Sequence, residues 1–277
     1  MKIEALVPLV TYTDPNSDAI AANAVAVAAR LGASIHALAV NADIPEVSSA
    51  LSRLLLDVPE MIRDAEAMSR KRGEHLLALI REKAEAAGVE VSTGAVSETP
   101  PLLSATAALH ARYHDLSLIG WEKDNPTSRA TAESIVFGSG RPAMLLPEQA
   151  EPKSFDHVAV AWDGSRVAAR ALADAQPVLM RASRVSVLTA VDETPMERDV
   201  GERLVARLEK RGLEAAAVPL RAEGRPVAEV LQQSALERGC ALLVMGAFGH
   251  SRVRDFVLGG ATEGMLDELG LPVLLSH

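Results

Sequence analysis

The chain has 277 residues, of which 48% are hydrophobic and 23% charged, a balance that excludes an intrinsically disordered protein. The formal net charge of −9 argues against general binding to nucleic acids or anionic membranes, since both need a basic face. Cys240 is the single cysteine, so no internal disulfide forms, and its apolar neighbours predict a buried thiol. No apolar run reaches the roughly 18 residues that span a bilayer, and the first residues lack signal-peptide features. We therefore expect a cytoplasmic protein.

In chain order, the first half alternates short apolar runs with helical patterns. Ile3–Val10 predicts a buried strand, an Ala-rich helical segment follows, and Ser34–Val40 predicts the next strand. The segment Ser48–Ala86 has helical spacing and many charges, which predict a long amphipathic helix. This helix either covers the sheet with a solvated outer face or forms a lid that docks a partner. A strand, a helix and a buried strand then lead to Gly120, and the run Gly140–Pro147 closes the half.

The second half repeats this order. Phe155–Trp162 and Arg184–Val191 predict strands on either side of an Ala-rich helix. Helix, strand, helix and buried strand then lead to Gly246, and Gly270–Ser276 closes the half. Self-similarity over more than a hundred residues indicates a tandem duplication of one domain, because the period is too long for a solenoid.

The strand–helix alternation predicts an α/β protein with two tandem, doubly wound parallel-sheet domains. We place these domains at residues 1–148 and 155–277, on either side of the Pro- and Glu-containing linker Pro147–Ser154. In such sheets, ligands bind beyond the carboxyl ends of the strands.

Glycines cluster in the stretch Val244–Gly264, between a buried strand and the start of a predicted helix. Backbone N–H groups and the helix dipole favour an anion at such a position, and glycine lets a phosphate approach the backbone. Thr262 offers a hydroxyl, and His250, Arg252 and Arg254 offer positive charge. The alternative is a loop whose glycines only form turns, because isolated glycine patterns give many false positives.

The other sequence motifs give weaker indications of a functional site. The P-loop pattern is absent, and the fragment Gly138–Gly140 precedes a strand instead of following one, unlike a dinucleotide fingerprint. His110 and His114 have the four-residue spacing of metal ligands, but no third ligand lies nearby in the sequence. We find no catalytic constellation and predict neither catalytic residues nor a metal site.

The glycine stretch resembles the universal stress protein family, and the resemblance covers the whole chain as two copies. ATP-binding members carry G-x-x-G, nine further residues, then Gly followed by Ser or Thr. Gly246, Gly249 and Gly259 match this pattern, but Gly260 stands where the pattern has a hydroxyl residue. The missing hydroxyl removes one expected phosphate contact.

The resemblance also implies contacts on the adenine and ribose side. Asp163 stands just after the first strand of the second copy, where a carboxylate can accept ribose hydroxyls; it can equally cap the helix that begins near Ser165. The end of the second strand matches a backbone contact to adenine. The implied nucleotide-binding residues are Ala161, Asp163, Ala190, Val191, Met245, Gly246, Gly249, His250, Arg252, Gly259, Gly260, Ala261 and Thr262.

The first copy resembles a degenerate nucleotide site. Aligning Pro8 with Ala161 places Val10 opposite Asp163, and no glycines follow Gly120 at the matching positions. We expect this copy to be structural or to bind another ligand.

The resemblance therefore implies a stress-response regulator whose C-terminal domain binds ATP or ADP, with Mg²⁺ accompanying a triphosphate. Two alternatives stay open: a stress protein that binds no nucleotide and serves as an interaction module, and a slow ATPase of the wider adenine-nucleotide α/β superfamily. In the family, last strands of two copies pair, for which the candidates are Ala143–Leu146 and Val273–Ser276. We expect an internal pseudo-dimer, and a homodimer through these terminal strands, with no nucleic-acid or membrane partner.

Overall fold

Strands and helices alternate along the chain in the order expected from the apolar runs. The computed structural model describes residues 2–45, 57–149, 152–191, 199–247, 264–267 and 269–277. Its internal contacts divide the chain into two units, Met1–Ser139 and Gly140–His277, called here the N-terminal and C-terminal units. The domain limits expected from the sequence, residues 1–148 and 155–277, remain a prediction.

The described residues of the N-terminal unit form four strands in the order β3-β2-β1-β4. The registers of β1 with β2, β1 with β4 and β2 with β3 are all parallel. Its strands are β1 (Glu4–Val10), β2 (Ser34–Ala42), β3 (Val91–Glu98) and β4 (Leu116–Trp121). Its helices are α1 (Ala19–Leu31), α2 (Val58–Ala87), α3 (Leu103–Ala111), which follows a 3₁₀ turn at Pro100–Leu102, and α4 (Pro126–Gly138).

In the described part of the C-terminal unit, six strands follow in the order β5-β10-β9-β6-β7-β8. Neighbouring strands are parallel apart from β5, which is antiparallel to β10. Its strands are β5 (Ala143–Pro147), β6 (His157–Ala161), β7 (Arg184–Ala190), β8 (Glu214–Leu220), β9 (Leu242–Gly246) and β10 (Val273–Ser276). Its helices are α5 (Arg166–Asp174), α6 (Gln176–Leu179), α7 (Val200–Glu209) and α8 (Val227–Glu237). The parallel α/β fold class predicted from the sequence is confirmed.

The central strands are buried along almost their whole length because helices cover the parallel sheets. Every residue of β4, β5 and β10 is buried. Helix α2 packs on β2, α5 on β9 and β10, and α7 on β8. The cores of both units thus form from the apolar runs that the sequence displays.

Local sequence explains where several helices begin. Asp57 caps α2 by accepting the Glu60 N–H at 3.1 Å, and Asn125 caps α4 by accepting the Ser128 N–H at 2.9 Å. The segment after Ser165, expected to form one helix, is divided into α5 and α6. Pro177 stands in the first turn of α6, where its missing N–H has no helical partner to lose.

Strand register confirms the alignment of the two copies. Ala5 of β1 lies opposite Leu116 of β4, as Val158 of β6 lies opposite Leu242 of β9. Three residues further along, Pro8 therefore corresponds to Ala161. Val10 and Asp163 are then equivalent, as the sequence alignment predicted.

The expected pairing of the terminal strands is also confirmed. Val273 lies opposite Leu145, and Leu275 lies opposite Ala143, in an antiparallel ladder. The other edge of β10 pairs with β9. Both edges of β10 are thus occupied within the chain, so this strand offers no edge to a second copy.

Candidate functional site

The carboxyl edge of the C-terminal sheet gathers the described part of the predicted nucleotide site. Strands β7 and β9 flank β6 in parallel, with Ala161 opposite Leu188 and Val160 opposite Val244. The residues that follow β6 and those that end β7 and β9 therefore share one edge of the sheet. The predicted residues brought to this edge are Ala161, Asp163, Ala190, Val191, Met245 and Gly246.

Asp163 organises the turn between β6 and α5. Its Oδ1 accepts the Ser165 N–H at 2.8 Å, while Ser165 Oγ accepts the Ala168 N–H at 3.2 Å and caps the helix. Ser165, not Asp163, is therefore the N-cap. Asp163 is only partly buried and is one of the residues that line a cavity beside α5.

Gly246 ends β9 at a point of close backbone approach. A Cβ on this residue would lie 2.5 Å from the Val167 carbonyl carbon and 2.6 Å from the Ala168 nitrogen. Real Cβ atoms do not come so near to backbone atoms, so only glycine fits here without moving α5. The glycine has a packing role that does not depend on any ligand.

The remaining described residues of the edge differ in what they can offer. The Met245 side chain is buried, whereas Val191 is 46% exposed. The Val191 N–H donates to the Leu220 carbonyl at 2.9 Å, which commits that N–H to the sheet. The other predicted residues, Gly249, His250, Arg252, Gly259, Gly260, Ala261 and Thr262, lie outside the described residues.

Comparison with known proteins relates the C-terminal part of the chain to one family. Residues 154–277 match the model of the universal stress protein family. This part of the chain is a universal stress protein domain. A curated relative, the universal stress protein Slr1230 of Synechocystis sp., is 25% identical over 233 residues, covering 80% of this chain and 77% of its own.

Solved universal stress proteins share the fold of the whole chain. A crystal structure from Archaeoglobus fulgidus covers 99% of this chain and 96% of its own, with a TM-score of 0.73 and 19% identity. A putative universal stress protein from Pseudomonas aeruginosa covers 99% of this chain and 93% of its own, with a TM-score of 0.56 and 16% identity. Both units therefore have the universal stress protein fold.

The corresponding edge of the N-terminal unit differs from that of the universal stress protein domain. Val10 replaces the carboxylate of Asp163. The pocket between Val10, Gly120 and Ser128 has no room for a water molecule. Ser128 Oγ, buried at its wall, has no hydrogen-bond partner among the described residues. This pocket has no volume for a nucleotide.

A hydroxyl network that the sequence did not reveal ties α2 to the same edge of the N-terminal unit. Ser69 Oγ accepts the Ala42 N–H at 2.9 Å and lies 2.6 Å from Thr11 Oγ1. One turn later, a Cβ on Gly73 would lie 2.6 Å from Asn41 Oδ1, so α2 approaches β2 closely. Two small residues one turn apart in a charged helix were the available sequence signal.

His36, His114 and Cys240 lie at or just before the amino ends of β2, β4 and β9, away from the carboxyl edges of the sheets. His36 and His114 stack with ring centroids 5.3 Å apart; burial and the nearby His114 lower the pKa of His36. Cys240 is buried as predicted, and burial raises the pKa of its thiol. His114 Nδ1 lies 3.0 Å from the His110 carbonyl oxygen.

The described residues offer no cluster of metal ligands. They contain no group of three or more His, Cys, Asp or Glu that could hold a metal ion. Within the same ranges, no helix combines the length and the apolar character needed to cross a membrane.

Proposed function

We propose that the universal stress protein domain at residues 154–277 binds ATP or ADP and acts as a nucleotide-dependent regulatory module. The observation that carries this proposal is the position of Asp163, which follows β6 at the edge where β7 and β9 end. Parallel α/β sheets bind their ligands at this edge. A site for ATP also agrees with the cytoplasmic setting expected from the sequence.

The described residues fit the adenosine half of the ligand. A carboxylate accepts hydrogen bonds from ribose hydroxyls, and Asp163 is held for this role by the Ser165 N–H. Ala190 ends β7 next to the loop of Asp163 and can approach the base through its backbone. When bound, the triphosphate would carry Mg²⁺, held largely by phosphate oxygens and water.

The phosphate half depends on the glycine stretch between Gly249 and Thr262. Under the proposal, its backbone N–H groups hold the phosphates and Thr262 supplies the remaining hydroxyl. Gly260 cannot supply one, so we expect weaker phosphate binding than in a site with Ser or Thr at that position.

Titration calorimetry of the full chain with Mg-ATP and with ADP tests the proposal. Asp163→Asn keeps an oxygen for the Ser165 N–H but removes the charge, and should weaken binding at least about tenfold. Asp156→Asn is the matched control, since Asp156 accepts from Ser154 Oγ at the opposite end of β6; it should bind as the parent does. Absence of heat for the parent at millimolar ligand would refute nucleotide binding.

Stoichiometry tests the difference between the two units. Because the N-terminal pocket has no room for a ligand, we expect one nucleotide per chain. Two sites of similar affinity would show that the N-terminal unit opens to bind a nucleotide.

A universal stress protein that binds no nucleotide and serves as an interaction module is the second candidate. Close packing alone accounts for Gly246, and Gly260 lacks the family hydroxyl. Slow ATP hydrolysis is a third outcome, detectable as phosphate release from Mg-ATP. A homodimer of this protein would have to form through a surface other than β10, whose edges are both paired.

A further inference from the structure

A groove of about 890 Å³ lies between α5 and α7 of the C-terminal unit. At one end the Trp162 indole N–H donates to the Val200 carbonyl at 3.1 Å. At the other end Arg211 Nη1 donates to Gln176 Oε1 at 3.1 Å. The ten residues of α7 give the groove a length of about 15 Å. Two hydrogen bonds thus define its ends.

The wall formed by α7 is cationic. Arg203 and Arg207 are one turn apart on the helix, and Arg211 follows at the same interval. Asp199 pairs with Arg203 at 2.8 Å, whereas Arg211 contacts a neutral amide. Arg207 makes no ion pair or hydrogen bond with any residue that the structure describes. This positive wall is a local feature of a chain whose net charge is −9.

The facing wall and the floor are apolar. Ala169 and Ala173 on α5 leave space beside the helix, while Leu172 and Leu204 are buried to 8% and 3% exposure at the base. Trp162 closes one end of the groove, beside Asp163. The groove therefore joins a hydrocarbon-like floor to guanidinium groups, which suits a molecule that has an apolar body and an anionic head.

The N-terminal unit uses the equivalent helix differently. Gly73 of α2 lies against Ala39 of β2, and Gly201 of α7 lies against Thr189, the equivalent position of β7. The two glycines therefore correspond. Two residues further along each helix, His75 corresponds to Arg203.

In the N-terminal unit, His75 and Arg72 contact the Asp18 carboxylate at 3.0 and 2.7 Å, which ties α2 to the start of α1. Ser165 caps α5 with a hydroxyl where Asp18 precedes α1 with a carboxylate, and Asp163 lines the Trp162 end of the groove.

We propose that this groove binds a small organic anion with an apolar body, such as an alkyl carboxylate or an alkyl phosphate monoester. Its volume lies within the range of about 300–1,000 Å³ found for small-molecule sites. The head pairs with Arg207 and Arg211, and the body covers Leu172 and Leu204. Asp163 lines the Trp162 end of the groove, but the other strand-edge residues do not, so this ligand is distinct from the nucleotide.

Titration of the full chain with dodecyl phosphate below its micellar concentration tests the site. We expect one binding event, at least about tenfold weaker in Arg207→Gln. Lys210→Gln is the matched control, since it removes the same charge next to α7 from a side chain outside the groove, and it should bind normally. Ala173→Phe, a change at an exposed helical position, should block binding while the protein stays folded by circular dichroism.

Three further ligands distinguish this site from a general anion site, from a non-specific apolar surface and from the nucleotide site. Inorganic phosphate, which lacks the body, should bind far more weakly, and dodecyltrimethylammonium, which reverses the charge, should not compete. Equal binding of the cationic amphiphile, or unchanged binding by Arg207→Gln, would overturn the proposal. Displacement by Mg-ATP, or loss of ATP binding in Ala173→Phe, would instead assign the groove to the nucleotide site. ATP binding that survives in Ala173→Phe supports two separate sites.

Discussion

At the scale of single residues, Gly246 shows how one amino acid can fit two roles. The sequence pattern assigned it to a phosphate-binding loop, and the structure adds that α5 leaves no space for a Cβ. Variants of Gly246 would therefore disturb the fold as well as any ligand. Asp163 separates these effects better, because asparagine preserves its turn-forming hydrogen bond.

We predict that Gly246→Ala lowers the free energy of unfolding of the C-terminal unit by about 1–3 kcal/mol, the usual cost of overpacking. The added methyl must displace the backbone at Val167 and Ala168. Urea denaturation measures the change. Gly94→Ala is the control, since its Cβ would meet neighbours at an ordinary 3.4 Å. Equal stability of Gly246→Ala and the parent would mean that α5 shifts at no cost.

At the scale of secondary structure, α2 combines a buried stripe with a charged outer face. Leu76, Leu77 and Ile80 are buried, while Asp18 holds the helix from outside through His75 and Arg72. The amphipathic pattern predicted this helix, and its packing on β2 agrees with a covering role, one of the two roles that the pattern left open. Which acid its basic residues meet depended on the approach of α1, which no local pattern contains.

The tie between α1 and α2 predicts a response to acid. The hydrogen bond from His75, together with Arg72, lowers the pKa of Asp18. A carboxyl whose pKa is lower in the folded state adds stability above its unfolded pKa of about 3.9, which is lost as the pH falls through the folded value. Asp18→Asn should therefore flatten the fall in unfolding free energy below about pH 4.

Chemical denaturation at a series of pH values measures this slope, and Asp64→Asn on α2 is the control. The Asp18 side chain is 55% exposed, so the effect is modest and should shrink further in high salt. An unchanged slope in Asp18→Asn would show that the ion pairs do not contribute in solution.

At the scale of the whole molecule, the pairing of strand β5 determines where the boundary between the two units lies. It precedes the linker predicted from the sequence, yet it belongs to the C-terminal unit through its antiparallel ladder with β10. An apolar strand with an open edge pairs readily with other chains, and β5 covers that edge of β10.

We predict that a fragment that starts at residue 155 dimerises or aggregates through β10 more readily than the fragment Gly140–His277, in which β5 covers this edge. Size-exclusion chromatography with light scattering distinguishes the two fragments. Leu274 lies opposite Met144 in the ladder, so Leu274→Lys in the shorter fragment should reduce its association. Monomeric behaviour of both fragments would show that β10 needs no cover.

Much of this architecture could be predicted from the chain because periodicity is local. Runs such as Ile3–Val10 became strands buried on both faces, and the alignment of Val10 with Asp163 agrees with the strand registers. Pro177 marks the split between α5 and α6, although the Ala-rich pattern around it predicted one continuous helix. The groove beside α7 was not predictable, since it depends on the spacing of two helices that are distant in sequence.

By itself, the sequence determined the tandem parallel α/β fold and the buried strands. It also indicated that Asp163 and Gly246 stand at strand ends. Apolar periodicity and glycine placement make this possible, because both act over a few residues. Only the tertiary structure decided that β5 covers β10, that α5 leaves Gly246 no room for a side chain, and that arginines of α7 face the alanines of α5. These features depend on distances between segments far apart in the chain, which packing of the completed core sets.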